Sequence, residues 1–243
     1  MEIDFFERRK IRIEELKDFK IEAKVFDERT LFCIYKLMKR GLIKSVESKI
    51  KEGKESVILS GLGKEGWIAI KVYRTYHCDF RNMWKYLIAD PRFFNVKKRR
   101  RQVVINWVRR EFKNLKIAFE AGINCPKPFG IYENVLVMSF IGKDGKAAPR
   151  MVDLEDANWN KLYELTVNEM KKLTRAKLVH ADLSAFNILV LNETPYLIDF
   201  SQAVTFDHPL AFEFLKRDVE NINKFFKKKG VKVNELLFED LTK

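Results

Sequence analysis

The most informative stretch of this sequence is LVHADLSAFNILV, residues 178–190. Both of its ends are apolar, so the segment is expected to lie in the core, yet His180, Asp182 and Asn187 interrupt it. A buried charge is strongly destabilising unless it is paired or binds a metal ion. The sequence therefore predicts that another group of the protein or a ligand meets these side chains.

A further aspartate follows this segment at the end of the next predicted strand. TPYLIDFS, residues 194–201, is expected to form a strand that ends in Asp199. Amide and carboxylate oxygens of Asn187 and Asp199 are hard ligands suited to Mg²⁺. Asp182 is left as a carboxylate that can orient or deprotonate a nucleophile. A metal-bound nucleotide would account for the polar groups in the core segment.

Two charged residues on other core-facing segments complete the set. Lys71 lies in the centre of the apolar strand WIAIKVY. A helix predicted over 103–121 has an inward stripe of Val104, Trp107, Val108, Leu115, Ala118 and Phe119. Glu111 falls on this stripe, so we predict that it contacts Lys71. The alternatives are a lysine whose ammonium reaches solvent and a narrower stripe that leaves Glu111 at its edge.

These five residues occur in the order in which protein kinases carry a strand lysine, a helix glutamate, a loop aspartate and asparagine, and a strand-end aspartate. Each residue alone is more often structural, so the prediction depends on the complete set. Short β-like runs over 43–50, 56–59 and 67–73 predict an antiparallel meander, and mostly helices follow. The expected fold is α+β and bilobal, protein-kinase-like, with a small β-rich N-lobe and a reduced helical C-lobe.

The predicted organisation has four parts. They are an N-terminal helical extension over 1–42, an N-lobe over 43–141 with a basic flexible loop at about 74–102, a hinge or linker over 142–149, and a C-lobe over 150–243. Thr30 is expected to cap a helix that ends at Gly41. Further helices are expected over about 153–177 and 210–229.

Composition limits the class of protein. The net charge of +13 favours an anionic partner, although a solvated lysine-rich surface would also produce it. No run of about 18 apolar residues occurs, so we expect no membrane span. The charged N-terminus does not resemble a signal peptide, and three widely spaced cysteines favour a reducing, cytoplasmic setting.

Three longer stretches narrow the kinase resemblance. They are LVHADLSAFNILV, LVMSFIGKDG (residues 136–145) and LIDFSQAVTFDHPLAFEFLKRDVENINKFF (residues 197–226). Together they closely resemble the RIO family of atypical protein kinases, in particular its type-one branch. The resemblance runs from about residue 44 to residue 230, which is most of the chain.

The resemblance implies roles for named residues. Lys71 would contact the α- and β-phosphates of ATP and be held by Glu111. Asn187 and Asp199 would hold Mg²⁺, with Mn²⁺ as an alternative, and Asp182 would be the catalytic acid or base. The phosphate-covering loop and the adenine-binding backbone would be supplied by Lys51, Gly53, Lys54 and Ser56, and by Ser139 and Ile141.

The sequence departs from ordinary kinases in several places. The phosphate loop has one glycine, Gly53, and by itself it is equally consistent with a plain hairpin turn. Ser184 stands where many kinases carry a lysine, and Ser201 replaces the glycine of the DFG motif. No APE motif follows Asp199, so the peptide-binding helices are expected to be missing. These losses favour ATP handling, as in the ATPase switches of the RIO family that can pass phosphate to the aspartate corresponding to Asp199.

Two further expectations concern partners and competing functions. The family resemblance implies work on the small ribosomal subunit precursor, and Lys97–Arg101 with Arg109 and Arg110 is predicted to contact its RNA, unless the cluster is only a solvated surface. Stacking of bases on Phe93, Phe94 and Trp107 is weighed against a core role for these rings. A non-catalytic RNA-binding scaffold and a small-molecule phosphotransferase remain alternative functions.

Overall fold

The computed structural model of the protein describes residues 27–75, 78–93 and 97–242. Its helices are α1 (Glu28–Lys39), α2 (Phe80–Ala89), α3 (Arg100–Glu120), α4 (Trp159–Arg175), α5 (Ala211–Lys228) and α6 (Leu237–Thr242). Its main strands are β1 (Ser45–Glu52), β2 (Ser56–Gly63), β3 (Gly66–Tyr73), β4 (Pro128–Tyr132) and β5 (Val135–Ser139). Six short strands follow: β6 (Gly142–Lys143), β7 (Lys146–Ala147), β8 (Leu178–Val179), β9 (Ile188–Leu191), β10 (Thr194–Leu197) and β11 (Val204–Thr205).

The N-terminal part of the described chain is an antiparallel sheet of five strands in the order β1-β2-β3-β5-β4. The predicted meander is present, with Ile58 opposite Lys71 on β3 and Lys71 opposite Leu136 on β5. The central position of β3 places Lys71 in the interior of the sheet. One face of the sheet packs against α1, and α3 lies against β4 and β5.

Helix α1 is formed by residues near the C-terminal end of the predicted N-terminal extension. Asp27 caps it by accepting the backbone N–H of Thr30 at 2.7 Å, so Asp27 and not Thr30 is the cap. Gly41 follows the helix with φ +72°, a left-handed conformation that suits glycine. The rest of the extension, residues 1–26, lies outside the described residues.

The loop expected over residues 74–102 contains a helix, α2, and a 3₁₀ turn over Pro91–Phe93. Its signal is visible in the sequence: Phe80, Met83 and Leu87 recur at helical spacing after Asp79, whose side chain accepts the N–H of Asn82. Helix α3 also begins at Arg100, inside the expected loop. Over its described residues the stretch is therefore not a loop throughout, and its flexibility stays a prediction.

The C-terminal part is mainly helical, and its core joins α4 and α5 to the short strands β8–β11. The segment expected as a flexible linker, residues 142–149, contains the β6–β7 hairpin. The helix expected from residue 153 begins at Trp159, after a 3₁₀ turn over Met151–Asp153. After β11 only α5 and the six-residue α6 are found up to residue 242, in agreement with a reduced C-lobe.

Over the described ranges, no helix combines the length and apolar character that crossing a membrane requires.

Candidate active site

The strand lysine and the helix glutamate meet in the interior. Lys71 and Glu111 are 4% and 2% exposed, and the Lys71 ammonium lies 2.7 Å from Glu111 Oε1. Tyr73 shares the strand face with Lys71 and donates its hydroxyl to Glu111 Oε2 at 2.6 Å. The contact predicted from the sequence is present, and the alternatives of a solvent-reaching lysine and an edge glutamate are wrong. The stripe predicted on α3 errs only at Phe119, which is exposed.

Asp199, which follows β10, also contacts this lysine. Its Oδ1 lies 2.9 Å from Lys71 Nζ. The strand expected to end in Asp199 stops at Leu197, and Asp199 has φ +65°, which is unusual for a residue other than glycine. Burial would raise the pKa of Asp199, but the Lys71 ammonium outweighs it, so that pKa lies well below its usual range.

The pKa of Lys71 also depends on burial and on its two acidic neighbours, Asp199 and Glu111. Desolvation by burial favours its neutral form, whereas the negative charges of Asp199 and Glu111 favour the ammonium. The charges prevail, and the pKa of Lys71 lies well above its usual range. The lysine is therefore a permanent cation at the centre of the site.

The segment LVHADLSAFNILV forms β8, the loop between β8 and β9, and the start of β9. Within this loop Asn187 Nδ2 donates to the Asp182 carbonyl at 2.8 Å and to Asp182 Oδ2 at 3.1 Å. The side-chain oxygen of Asn187 is thus the atom that these bonds leave for a cation. Burial, together with the negative charge of Asp199, raises the pKa of Asp182.

His180 has a packing and hydrogen-bonding role in this loop. Its ring is buried beside Phe200, with centroids 4.9 Å apart. Burial lowers the pKa of His180 to about 4, so the ring is neutral at pH 7 and its Nε2–H donates to the Ile198 carbonyl at 3.0 Å. This bond ties the loop to the strand end that carries Asp199.

Asp218 is a site residue that sequence reasoning missed. It lies on α5, is 1% exposed, and accepts the backbone N–H groups of Ala181 at 2.8 Å and Leu183 at 2.9 Å. It therefore fixes the backbone on both sides of Asp182. The signal was available, since Asp218 follows the buried Leu215 by three positions and precedes the buried Ile222 by four.

The predicted phosphate loop is the turn between β1 and β2. Lys51, Gly53 and Lys54 are exposed, while Ser56 is half-buried at the start of β2. The Gly53 N–H donates to the Ser56 carbonyl at 2.9 Å, which closes the turn. Burial raises the pKa of Glu55, and the charge of Asp199 adds to the rise, so the turn lies within electrostatic reach of the site.

The predicted adenine-binding segment follows β5. The Ser139 N–H donates to the Lys127 carbonyl at 2.8 Å, and the Ser139 hydroxyl accepts the Lys127 N–H at 2.8 Å. The Ile141 carbonyl accepts the N–H of Ala148 at 3.0 Å. Of the backbone groups named for this role, the Ser139 carbonyl and the Ile141 N–H are not used in these bonds.

The model of the RIO domain family matches residues 56–239, a range that runs from the start of β2 past Asp218 and includes Lys71, Glu111, Asp182, Asn187 and Asp199. The chain belongs to the RIO family. RIO-type serine/threonine-protein kinase Rio1 of Methanocaldococcus jannaschii is 43% identical over 229 residues, covering 94% of this chain and 78% of that protein. Rio1 of Haloferax volcanii is 40% identical, covering 98% and 82%. Human RIO1 is 38% identical, but this chain covers only 42% of its length.

Solved structures agree with the predicted fold class. A Rio2 kinase from Chaetomium thermophilum, solved as an ADP/Mg²⁺-phosphoaspartate complex, matches with a TM-score of 0.68 and 25% identity. The match covers 87% of this chain and 64% of that one. The RIO chain therefore has an α+β, kinase-like fold, and the predicted resemblance to the type-one branch agrees with the Rio1 relatives. These relatives are named serine/threonine-protein kinases, so the family consists of ATP-dependent phosphotransferases.

The donor set of this RIO site fits Mg²⁺. Asn187 and Asp199 offer hard oxygen atoms, and Mg²⁺ is usually bound by one or two carboxylates together with substrate phosphates and water. Within the described ranges, no group of three or more His, Cys, Asp or Glu side chains is placed to hold a metal without such additional ligands. The residues thus suit a metal that arrives with a nucleotide.

Of the residues of the RIO chain that were predicted to contact RNA, some are exposed and others are buried. Lys97, Lys98, Arg99 and Arg100 are exposed, and so is Arg109. Arg101, the last residue of the predicted cluster, is half-buried and pairs with Glu133. Arg110 is fully buried and pairs with Asp90 at 3.0 Å, so its assignment to RNA contact is wrong. Phe93 and Trp107 are 7% and 2% exposed, which excludes them as stacking platforms, and Phe94 lies outside the described residues.

Proposed function

We propose that this RIO chain is an ATP- and Mg²⁺-dependent phosphotransferase of the atypical serine/threonine kinase type. The observation that carries the proposal is the position of Lys71 between Glu111 and Asp199, 2.7 Å and 2.9 Å away. A fixed cation at this point suits the phosphates of a nucleotide, and Asp182 with Asn187 lies in the adjoining loop.

The nucleotide would bind along the cleft between the two lobes. Lys71 would contact its α- and β-phosphates, held in place by the buried Glu111. Lys51, Gly53, Lys54 and Ser56 would cover the phosphates from the β1–β2 turn. The adenine would meet the Ser139 carbonyl and the Ile141 N–H, because the other backbone groups of these residues are already bonded within the protein.

Asn187 and Asp199 would hold the metal, which is Mg²⁺ or, as an alternative, Mn²⁺. When bound, the metal would neutralise charge on the phosphates. The chain's own contribution is preorganisation: Asp218 fixes the loop backbone, Asn187 holds the Asp182 carboxylate, and Lys71 holds Asp199. The raised pKa of Asp182 brings this carboxylate closer to the range in which a general base exchanges protons.

Two acceptors of the phosphoryl group are compatible with this arrangement. A serine hydroxyl could transfer its proton to Asp182 as it attacks the γ-phosphorus, releasing ADP. Alternatively, an oxygen of Asp199 could attack, forming an acyl phosphate and ADP, and water would then restore the carboxylate and release phosphate. The Chaetomium Rio2 kinase was solved as a phosphoaspartate complex, which supports considering the second path.

We further propose the reducing cytoplasm as the setting and the small ribosomal subunit precursor as the partner. Net charge and the family resemblance support this partner, and the exposed residues Lys97–Arg100 with Arg109 supply cations for RNA phosphates. Replacing these five residues with glutamine should weaken RNA binding and flatten its salt dependence. An unchanged affinity and salt slope would contradict this part of the proposal.

The central experiment is turnover and self-labelling with γ-labelled ATP, with and without Mg²⁺, for wild type and Asp199→Asn. Label released by hydroxylamine and absent from Asp199→Asn would indicate an aspartyl phosphate and an ATPase cycle. Label that resists acid but is released by base would indicate a hydroxyl acceptor and a protein-kinase reaction. ATP binding without turnover or label would overturn the catalytic proposal and favour the scaffold, whereas labelling of an added small molecule would favour the small-molecule phosphotransferase.

A further inference from the structure

Helix α3 carries a second fully buried charge immediately beside Glu111. Arg110 is 0% exposed, and because adjacent helical residues point about 100° apart, it faces a different neighbour from Glu111. Its Nη1 donates to the Ser201 carbonyl at 2.7 Å and its Nη2 to the Gln202 carbonyl at 3.3 Å. The guanidinium is therefore hydrogen-bonded to the backbone just after Asp199.

Asn114, one helical turn further along α3, is hydrogen-bonded to the same segment. Its Nδ2 donates to the Phe200 carbonyl at 3.0 Å and to the Ala203 carbonyl at 2.7 Å. Arg110 and Asn114 together thus bind the four consecutive carbonyls of residues 200–203. Both side chains are inaccessible to solvent, so these bonds are not exchanged for bonds to water.

Asp199 needs such support because its own backbone conformation is unfavourable. A residue other than glycine at φ +65° is strained and persists only when its surroundings hold it there. The Lys71 contact acts on the carboxylate, whereas Arg110 and Asn114 act on the backbone that follows. The two sets of contacts reach Asp199 from β3 and from α3.

Arg110 is itself held by the segment between β3 and α3, called the insert below, which contains α2 and the 3₁₀ turn over Pro91–Phe93. Asp90, 3% exposed, accepts from Arg110 Nε at 3.0 Å and from Arg92 Nη2 at 2.7 Å. On α2, Tyr86 donates its hydroxyl to Gln202 Oε1 at 3.0 Å and lies over the Arg110 guanidinium at 5.2 Å. The insert therefore contacts the segment after Asp199 both directly and through Arg110.

We propose that Arg110 and Asn114 are positioning residues of the phosphotransfer site, which hold residues 200–203 so that the Asp199 carboxylate stays at the place where it would bind the metal. This inference rests on the proposed function for its catalytic meaning. Helix α3 thereby positions both carboxylates, Glu111 on the helix itself and Asp199 through the segment that follows it.

The test uses two variants. Arg110→Lys keeps the positive charge but loses the several N–H donors of the guanidinium. Asn114→Ala removes the side-chain amide and leaves a residue that is compatible with the helix. Lys116→Arg is the control, since Lys116 is exposed on the same helix and keeps its charge in this variant. The first readout, amide hydrogen exchange in the full chain, requires no activity. Exchange at Ala203 and Val204 should rise about tenfold or more in both variants and not in the control.

The second readout is the Mg²⁺ concentration that gives half-maximal turnover. It should rise about tenfold in both variants, because a displaced Asp199 binds the metal less well. Exchange and Mg²⁺ dependence like those of the control would overturn the inference, and so would a uniform rise in exchange throughout the chain, which indicates only lost stability. A wild type without turnover would instead contradict the proposed function, and hydrogen exchange would still decide the role of Arg110 and Asn114.

Discussion

Asp182 and Asp199 lie in one cleft, yet their surroundings move their pKa values in opposite directions. Asp182 is partly buried, close to the negative charge of Asp199, and its pKa is raised. Asp199 touches the Lys71 ammonium, and its pKa is lowered. Pairs of acids whose environments separate their pKa values are typical of sites that assign them different chemical tasks. The comparison supports the proposed assignment of proton exchange to Asp182 and of metal binding to Asp199.

The most damaging change should be the neutralisation of Asp199. Asp199→Asn removes the charge that would bind the metal, so turnover of ATP should fall by about 10³–10⁵-fold, the range seen when a charge acting on a transferring phosphoryl group is lost. Steady-state ATP turnover measures this effect. Asp153→Asn is the control, since that carboxylate is exposed and paired with Arg150. Turnover within tenfold of wild type would contradict the role of Asp199.

Replacement of Lys71 should remove the cause of the difference between the two aspartates. Lys71→Met leaves the buried Glu111 without its cation, and breaking such a buried pair typically costs about 3–5 kcal/mol. The free energy of unfolding, measured with urea, should fall by this amount. Lys64→Met on the exposed β2–β3 turn should change it little. A smaller loss in Lys71→Met/Glu111→Leu would show that the unpaired glutamate is the source of the cost.

Asp182→Asn should separate catalysis from binding. Turnover should fall about 10²-fold or more, as expected for loss of a general base, while the affinity for ATP with Mg²⁺ stays near that of wild type. In the wild type, turnover should rise with pH as Asp182 ionises, with a midpoint above the ordinary aspartate pKa because that pKa is raised. A similar loss of nucleotide affinity in Asp182→Asn and Asp199→Asn would erase the distinction between them.

A further effect, on stability and not on turnover, concerns the support of the Asp182 loop. Burial raises the pKa of Asp218 to about 7, so the folded protein binds a proton that the unfolded chain has lost above about pH 4. Stability of the wild type should therefore fall as pH rises from about 4 to about 7, a slope that Asp218→Asn should lack. Urea unfolding at several pH values measures the difference. Parallel pH profiles for the two proteins would contradict the assignment.

The five residues that define the cleft were predictable because each interrupts an apolar pattern. A lysine in the middle of an apolar strand and an acid on an apolar helix stripe require charged partners, and the order of the five residues along the chain matched that of protein kinases. Asp218 likewise interrupts the apolar face of α5, and it was overlooked in the sequence analysis. The helix α2 was also readable, since Asp79 and the spacing of Phe80, Met83 and Leu87 are ordinary helix signals.

Other features could not be read from the sequence. Arg110 looked like part of a basic surface because the partner carbonyls, at Ser201 and Gln202, lie about ninety residues away along the chain. A long-range contact between a side chain and a backbone carbonyl leaves no trace in residue types, since every residue has a carbonyl. The left-handed backbone of Asp199 is equally hidden, because it is imposed by surrounding contacts and not by local preference.

The position of Lys71 has a consequence for how ligands bind. Its single positive charge faces Glu111 and Asp199, and the pKa of Glu55 and of Asp182 responds to the negative charge of Asp199 nearby. Although the chain as a whole is strongly basic, these four carboxyl groups make this part of the cleft acidic. A polyphosphate would be repelled there on its own, whereas a divalent cation would be attracted. Metal and nucleotide should therefore bind with positive cooperativity, each increasing the affinity for the other by the same factor.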